Sequence, residues 1–78
     1  MYPNPSKGYV ILEYKLETEQ EGMIEIQNIT GRTIHSISIT EIQNQITVIT
    51  QDWNPGIYIV SLKIKGKLIE STKFTLID

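Results

Sequence analysis

Apolar residues recur at every second position in several short runs of this chain, and turn-forming residues separate those runs at intervals near ten. From Tyr9 to Leu16, Val10, Leu12, Tyr14 and Leu16 share one parity while Glu13 and Lys15 take the other. Successive side chains of a strand point to opposite sides, so a period of two marks a strand with one buried face. Met23 to Ile29 repeats the pattern, with Ile24 and Ile26 predicted inward and Glu25 and Gln27 outward. The stretch Thr18 to Gly22 between them is polar and acidic and reads as a loop. Asn28-Ile29-Thr30-Gly31 predicts a hairpin turn, because Asn can close an Asx-turn on its own backbone and Gly accepts positive φ. In Thr33 to Thr40 the phase slips: Ile34 has one parity, Ile37 and Ile39 the other, and a bulge near His35-Ser36 would reconcile them.

Glu41 to Gln45 is polar and reads as a connection, after which Ile46, Val48 and Thr50 share a face of the next strand. Pro55-Gly56 then interrupts any regular element. Ile57-Tyr58-Ile59-Val60-Ser61-Leu62 follows, apolar at both parities except for Ser61, which predicts a strand at the centre of its sheet. Ile64-Lys65-Gly66-Lys67 reads as a tight hairpin, although Lys suits positive φ less well than Asn or Asp. Leu68 to Ile77 closes the chain, with Leu68, Phe74 and Leu76 on one parity. The apolar spacing and the abundance of β-branched residues leave no helical alternative. Six long strands and a short seventh around Asn4–Ser6 predict an all-β fold, a β-sandwich of about seven short strands.

Length sharpens this picture. A chain of 78 residues has room for one core, so residues 1–78 form a single expected domain. A domain of this size buries only about 60% of the surface its unfolded chain exposes. With no Cys, no disulfide or thiolate metal site can staple it, and stability must come from Ile, Val and Leu burial. The net charge is −2 with Lys and Glu interspersed, which argues against a nucleic-acid-binding face. No apolar run approaches the ~18–20 residues of a membrane helix, and Met1 leads into Tyr2-Pro3 without the charged and apolar regions of a signal peptide.

Candidate chemistry is sparse. His35 is the only histidine, and neighbouring Ser36 and Ser38 supply neither the carboxylate nor the geometry of a triad. Clustered zinc ligands are missing, and Glu17, Glu19 and Glu21 lack the Asp/Asn-x-Asp spacing and glycine of a calcium loop. Asn28-Ile29-Thr30 fits a glycosylation sequon but also the turn. Trp53 reads as a plug at the sandwich end, with a sugar-stacking platform as the alternative. Tyr2-Pro3-Asn4-Pro5 is held extended by its prolines, which makes a stiff junction to whatever precedes it. No catalytic residue, metal or cofactor is expected.

Four of these stretches, in this order and spacing, resemble the type A C-terminal sorting domains of type IX secretion cargo. Tyr2-Pro3-Asn4-Pro5 matches the opening motif and Gly31-Arg32 the middle turn. Gly56-Ile57-Tyr58-Ile59-Val60 matches the late strand, and Lys73-Phe74 falls in the closing one. The resemblance implies an immunoglobulin-like antiparallel sandwich with no enzymatic activity, carried behind an upstream cargo domain. It implies recognition by the type IX translocon at the outer membrane of a Gram-negative bacterium, then removal by a sortase-like peptidase that cuts upstream of this chain. The cargo would be released or attached to surface lipopolysaccharide. Departures from the family pattern are Asn28, Trp53, Lys65 and the terminal Asp78.

Lys63, Lys65, Lys67 and Lys73 place positive charge in the last two strands, where it could protect a sheet edge or dock the secretion apparatus. Lys67, Lys73, Phe74, Ile77 and Asp78 are accordingly the candidate recognition residues. The rival reading is an accessory fibronectin-like or carbohydrate-binding module, for which only Trp53, Tyr9 and Tyr2 could supply exposed aromatics.

Overall fold

The computed structural model describes residues 7–16, 21–40 and 43–77, and these fold into six antiparallel strands without a helix. They are β1 (Tyr9–Lys15), β2 (Gly22–Asn28), β3 (Thr33–Ile39), β4 (Gln43–Ile49), β5 (Gly56–Ile64) and β6 (Lys67–Leu76). A two-stranded sheet β1-β4 faces a four-stranded sheet of order β3-β2-β5-β6. The expected seventh strand at Asn4–Ser6 and the motif Tyr2-Pro3-Asn4-Pro5 lie outside the described residues, as do Glu17, Glu19 and Asp78.

One core joins the two sheets. Val10, Leu12 and Val48 come from the smaller sheet, and Ile24, Ile26, Tyr58, Val60, Leu62, Phe74 and Leu76 from the larger. Those of β1, β2, β4 and β6 have the parities that alternation assigns them. Burial of such aliphatic side chains stabilises by about 1.5–3 kcal/mol each, which must offset the ordering entropy of the chain. β5 lies between β2 and β6, as expected of a strand apolar at both parities. Its Tyr58, Val60, Leu62 and Ile64 enter the core, while Ile57 and Ile59 lie on the outer face.

Two turns form as the sequence predicts. The Asn28 side-chain oxygen accepts from Thr30 N at 3.1 Å, Thr30 Oγ1 at 2.7 Å and Arg32 N at 3.0 Å. Gly31 sits at φ 89°, a conformation costly for a residue with a Cβ. In the β5–β6 hairpin Lys65 has φ 52° and Gly66 φ 79°, so both central residues adopt the positive φ of a type I′ turn.

Four expectations need correction. Gly22 belongs to β2, paired with Ile39 and Ile64, rather than to the preceding loop. β4 begins at Gln43, so part of the polar stretch Glu41–Gln45 is strand, because backbone pairing with β1 is indifferent to side-chain polarity. The bulge in β3 falls at Ile34: Ile26 pairs with His35 and Gln27 with Thr33, leaving Ile34 as the extra residue. In β6, Leu62 pairs with Glu70 and Lys63 with Leu68, so Ile69 is extra there. That second bulge reverses the phase of Leu68, which is exposed opposite Lys63 instead of sharing the buried face of Phe74 and Leu76.

Candidate functional site

The closing strand β6 is at the margin of the larger sheet, and no described strand pairs with its outer side. Its C-terminal half is pinned by two side chains. Phe74 is 1% exposed and stacks on Tyr58 with ring centroids 5.5 Å apart and an interplanar angle of 17°, and Leu76 is buried beyond it. Lys73, of opposite parity, is exposed beside Ile59 on the outer face, and Ile77 is exposed past the strand end. Lys67 starts the strand opposite Ile64. Lys67 and Lys73 are six residues apart, about 20 Å along a strand, and so belong to different regions of the surface.

The four lysines do not form a single patch. Lys63 reaches across to β2, where its Nζ lies 3.1 Å from Glu25 Oε1. Lys65 occupies the hairpin tip, next to Lys67 and remote from Lys73. Sequence reading placed Lys63, Lys67 and Lys73 on the last two strands, where they are, while Lys65 lies in the turn between them; it did not see that Glu25, on β2, neutralises Lys63.

Inner-face positions of β6 ahead of Phe74 are less covered. Thr72 and Glu70 oppose Val60 and Leu62, yet both are exposed. The two-stranded sheet leaves a shallow groove there, bordered by Leu12 and Tyr14 of β1 and by Val60 and Leu62.

The motif residues divide between turns and core. Gly31 and Arg32 belong to the β2–β3 turn, where Asn28 N donates to Arg32 O at 2.9 Å. Gly56 opens β5 opposite Leu76, Ile57 and Ile59 look outward, and Tyr58 and Val60 are buried. The Tyr58 hydroxyl donates to Asn54 O at 2.6 Å, tying the motif strand to the turn before it. Trp53 is half-buried against the core, 5.3 Å from the Tyr58 ring and 6.2 Å from His35. It acts as a plug at the sandwich end. Tyr9, by contrast, projects from the outer face of β1, so the two rings do not build a common platform.

His35 is exposed beside Trp53, and no group of acidic, His or Cys residues that could hold a metal occurs among the described residues. Among the described residues no helix is long and apolar enough to cross a membrane.

A family model for the secretion system C-terminal sorting domain matches residues 1–77, and the chain belongs to that family, the sorting domains of type IX secretion. Comparison with curated proteins and with solved structures gave no significant match. Membership makes the domain a sorting signal and the tail of a cargo protein, one destined for secretion or the cell surface through the type IX machinery.

Proposed function

We propose that the domain is a non-enzymatic export signal read at the outer membrane by the type IX translocon through its closing strand. The observation that carries this reading is the construction of β6. Phe74 and Leu76 fix the strand in the core, while Lys73 and Ile77 stay exposed and no described strand covers its outer side. A sheet margin of this kind is suited to β-augmentation, in which main-chain hydrogen bonds supply affinity and alternate side chains supply specificity. An added strand would also cover the groove beside Glu70 and Thr72. After passage, a sortase-like peptidase cuts ahead of the domain, releasing the cargo or attaching it to surface lipopolysaccharide.

The strand order supports an immunoglobulin-like relationship. With β1 to β6 taken as strands B, C, C′, E, F and G, the sheets read B-E and C′-C-F-G. Resemblance to such sandwiches indicates fold and not activity, so the functional reading rests on the family and on β6.

The test is export of a folded reporter fused ahead of the domain in a host with the matching translocon. Lys73→Ala, or deletion of Ile77-Asp78, is expected to lower the secreted fraction while the melting temperature stays near that of the parent. If export instead follows stability across all variants, the apparatus reads only the folded shape, and the assignment of recognition to β6 fails.

A further inference from the structure

A second surface lies at the end of the sandwich where the chain enters. Tyr9 opens β1 opposite Ile49, and Thr50 N donates to Gly8 O at 3.0 Å, so the incoming polypeptide passes beside the Thr50–Trp53 turn. The Asn28–Arg32 turn is at the same end, because β2 finishes where β5 begins, with Asn28 opposite Tyr58. Between the two turns is an open cleft of about 410 Å³. Trp53 is among its lining residues, as are three isoleucines that a sandwich end has no folding reason to expose: Ile29 at 71%, Ile34 at 38% and Ile57 at 40%. Arg32 and Asp52 also line it, and neither forms an ion pair among the described residues. Apolar residues, an indole and a guanidinium in one concavity, with charged groups beside them, resemble the anatomy of a protein contact.

The size of the surface indicates which partner it takes. Eleven residues line the cleft, fewer than the roughly 20–30 a side of a standard interface between freely diffusing proteins. A segment of the same polypeptide needs less area, because a short tether presents it at an effective concentration in the millimolar range. Residues 1–8 lead into the domain at this end, and membership of the family puts a cargo polypeptide ahead of them, a tether of only a few residues from the cleft.

We propose that this cleft docks the cargo polypeptide immediately ahead of the domain, setting the domain's orientation against its cargo. The segment seats an apolar side chain among Ile29, Ile34 and Ile57 and offers polar or charged groups to Arg32 and Asp52. The proposal rests on the cargo-tail role of the family and is independent of how β6 is read.

The experiment uses the purified full-length protein that carries this domain, with a photo-crosslinking residue in place of Ile29 or Ile57, or of Lys65 at the far end as control. Irradiation is expected to give intramolecular crosslinks from positions 29 and 57, mapped by mass spectrometry to cargo residues ahead of Met1, and none from position 65; crosslinks confined to residues 1–8 would overturn the proposal. Combining Arg32→Glu with Asp52→Lys should reduce the crosslinked fraction about fivefold, the loss given by roughly 1 kcal/mol of contact energy, with the melting temperature unchanged. No crosslink to upstream residues, equal yields from all three positions, or yields insensitive to the charge reversal would overturn the proposal. So would crosslinks that form only to another protein. No translocon is present, so failure of the translocon reading leaves the result unaffected, and failure here leaves the export assay intact.

Discussion

Phe74 and Lys73 are neighbours on one strand, and the structure assigns them opposite consequences. Truncating Phe74 to Ala removes a ring that is 1% exposed and stacked on Tyr58. Substitutions of this kind cost about 3–5 kcal/mol from lost transfer energy and the cavity left behind. The whole domain, at about 0.05–0.15 kcal/mol per residue, has roughly 4–12 kcal/mol of stability. Phe74→Ala therefore takes away at least a quarter of that stability and, toward the low end, all of it. Lys73→Ala touches an exposed side chain and should move stability by less than about 0.5 kcal/mol. Urea unfolding followed by fluorescence measures both, since Trp53 is the only tryptophan and contacts Tyr58 rather than Phe74. A double-mutant cycle with Tyr58→Leu should add a coupling of about 0.5–1.5 kcal/mol for the stacked pair. A Phe74→Ala domain within about 1 kcal/mol of the parent would refute the argument that β6 is anchored through this ring.

Two further substitutions test local features. Asn28→Ala removes the acceptor of three hydrogen bonds and should lower stability by about 1–2 kcal/mol, whereas Asn28→Asp keeps an acceptor oxygen and should stay closer to the parent; chemical denaturation of both separates the acceptor from the side chain as such. Thr50 is 1% exposed and its Oγ1 has no partner among the described residues, so Thr50→Val should leave thermal stability unchanged or raise it, by up to about 1–3 kcal/mol, and a clear loss in calorimetry would mean the hydroxyl is bonded.

How much of this was legible in the sequence depended on whether the register ran uninterrupted. β1 and β2 read correctly from alternation because each keeps one phase from end to end against a buried face, and the central place of β5 was read from its apolar residues at both parities. In β3 the slip at Ile34 was visible as a conflict of parity, but its position came out one residue late. Alternation reports that an extra residue exists, and the partner strand decides which residue it is. In β6 the extra residue Ile69 sits beside Leu68, and two adjacent apolar residues give no cue as to which one leaves the phase. The motif turns were legible because Asn28 and Gly31 act within a few residues of themselves. The cleft at the entering end was not, because Ile29, Ile34 and Ile57 come from separate parts of the chain. The available signal was an isoleucine inside a turn, at position 29, where a polar residue is the ordinary choice.

The placement of Phe74 and Leu76 gives the signal a further property. The side chains that complete the core belong to the last strand, four and two residues from the final residue of this sequence. A cargo chain broken off before them loses the ring against Tyr58 and the closing pair opposite Gly56, and with these the means to finish the sandwich. The edge strand offered for recognition and the side chains that close the core are thus one and the same stretch, so a tail that lacks Phe74 and Leu76 loses its fold and its exposed margin together.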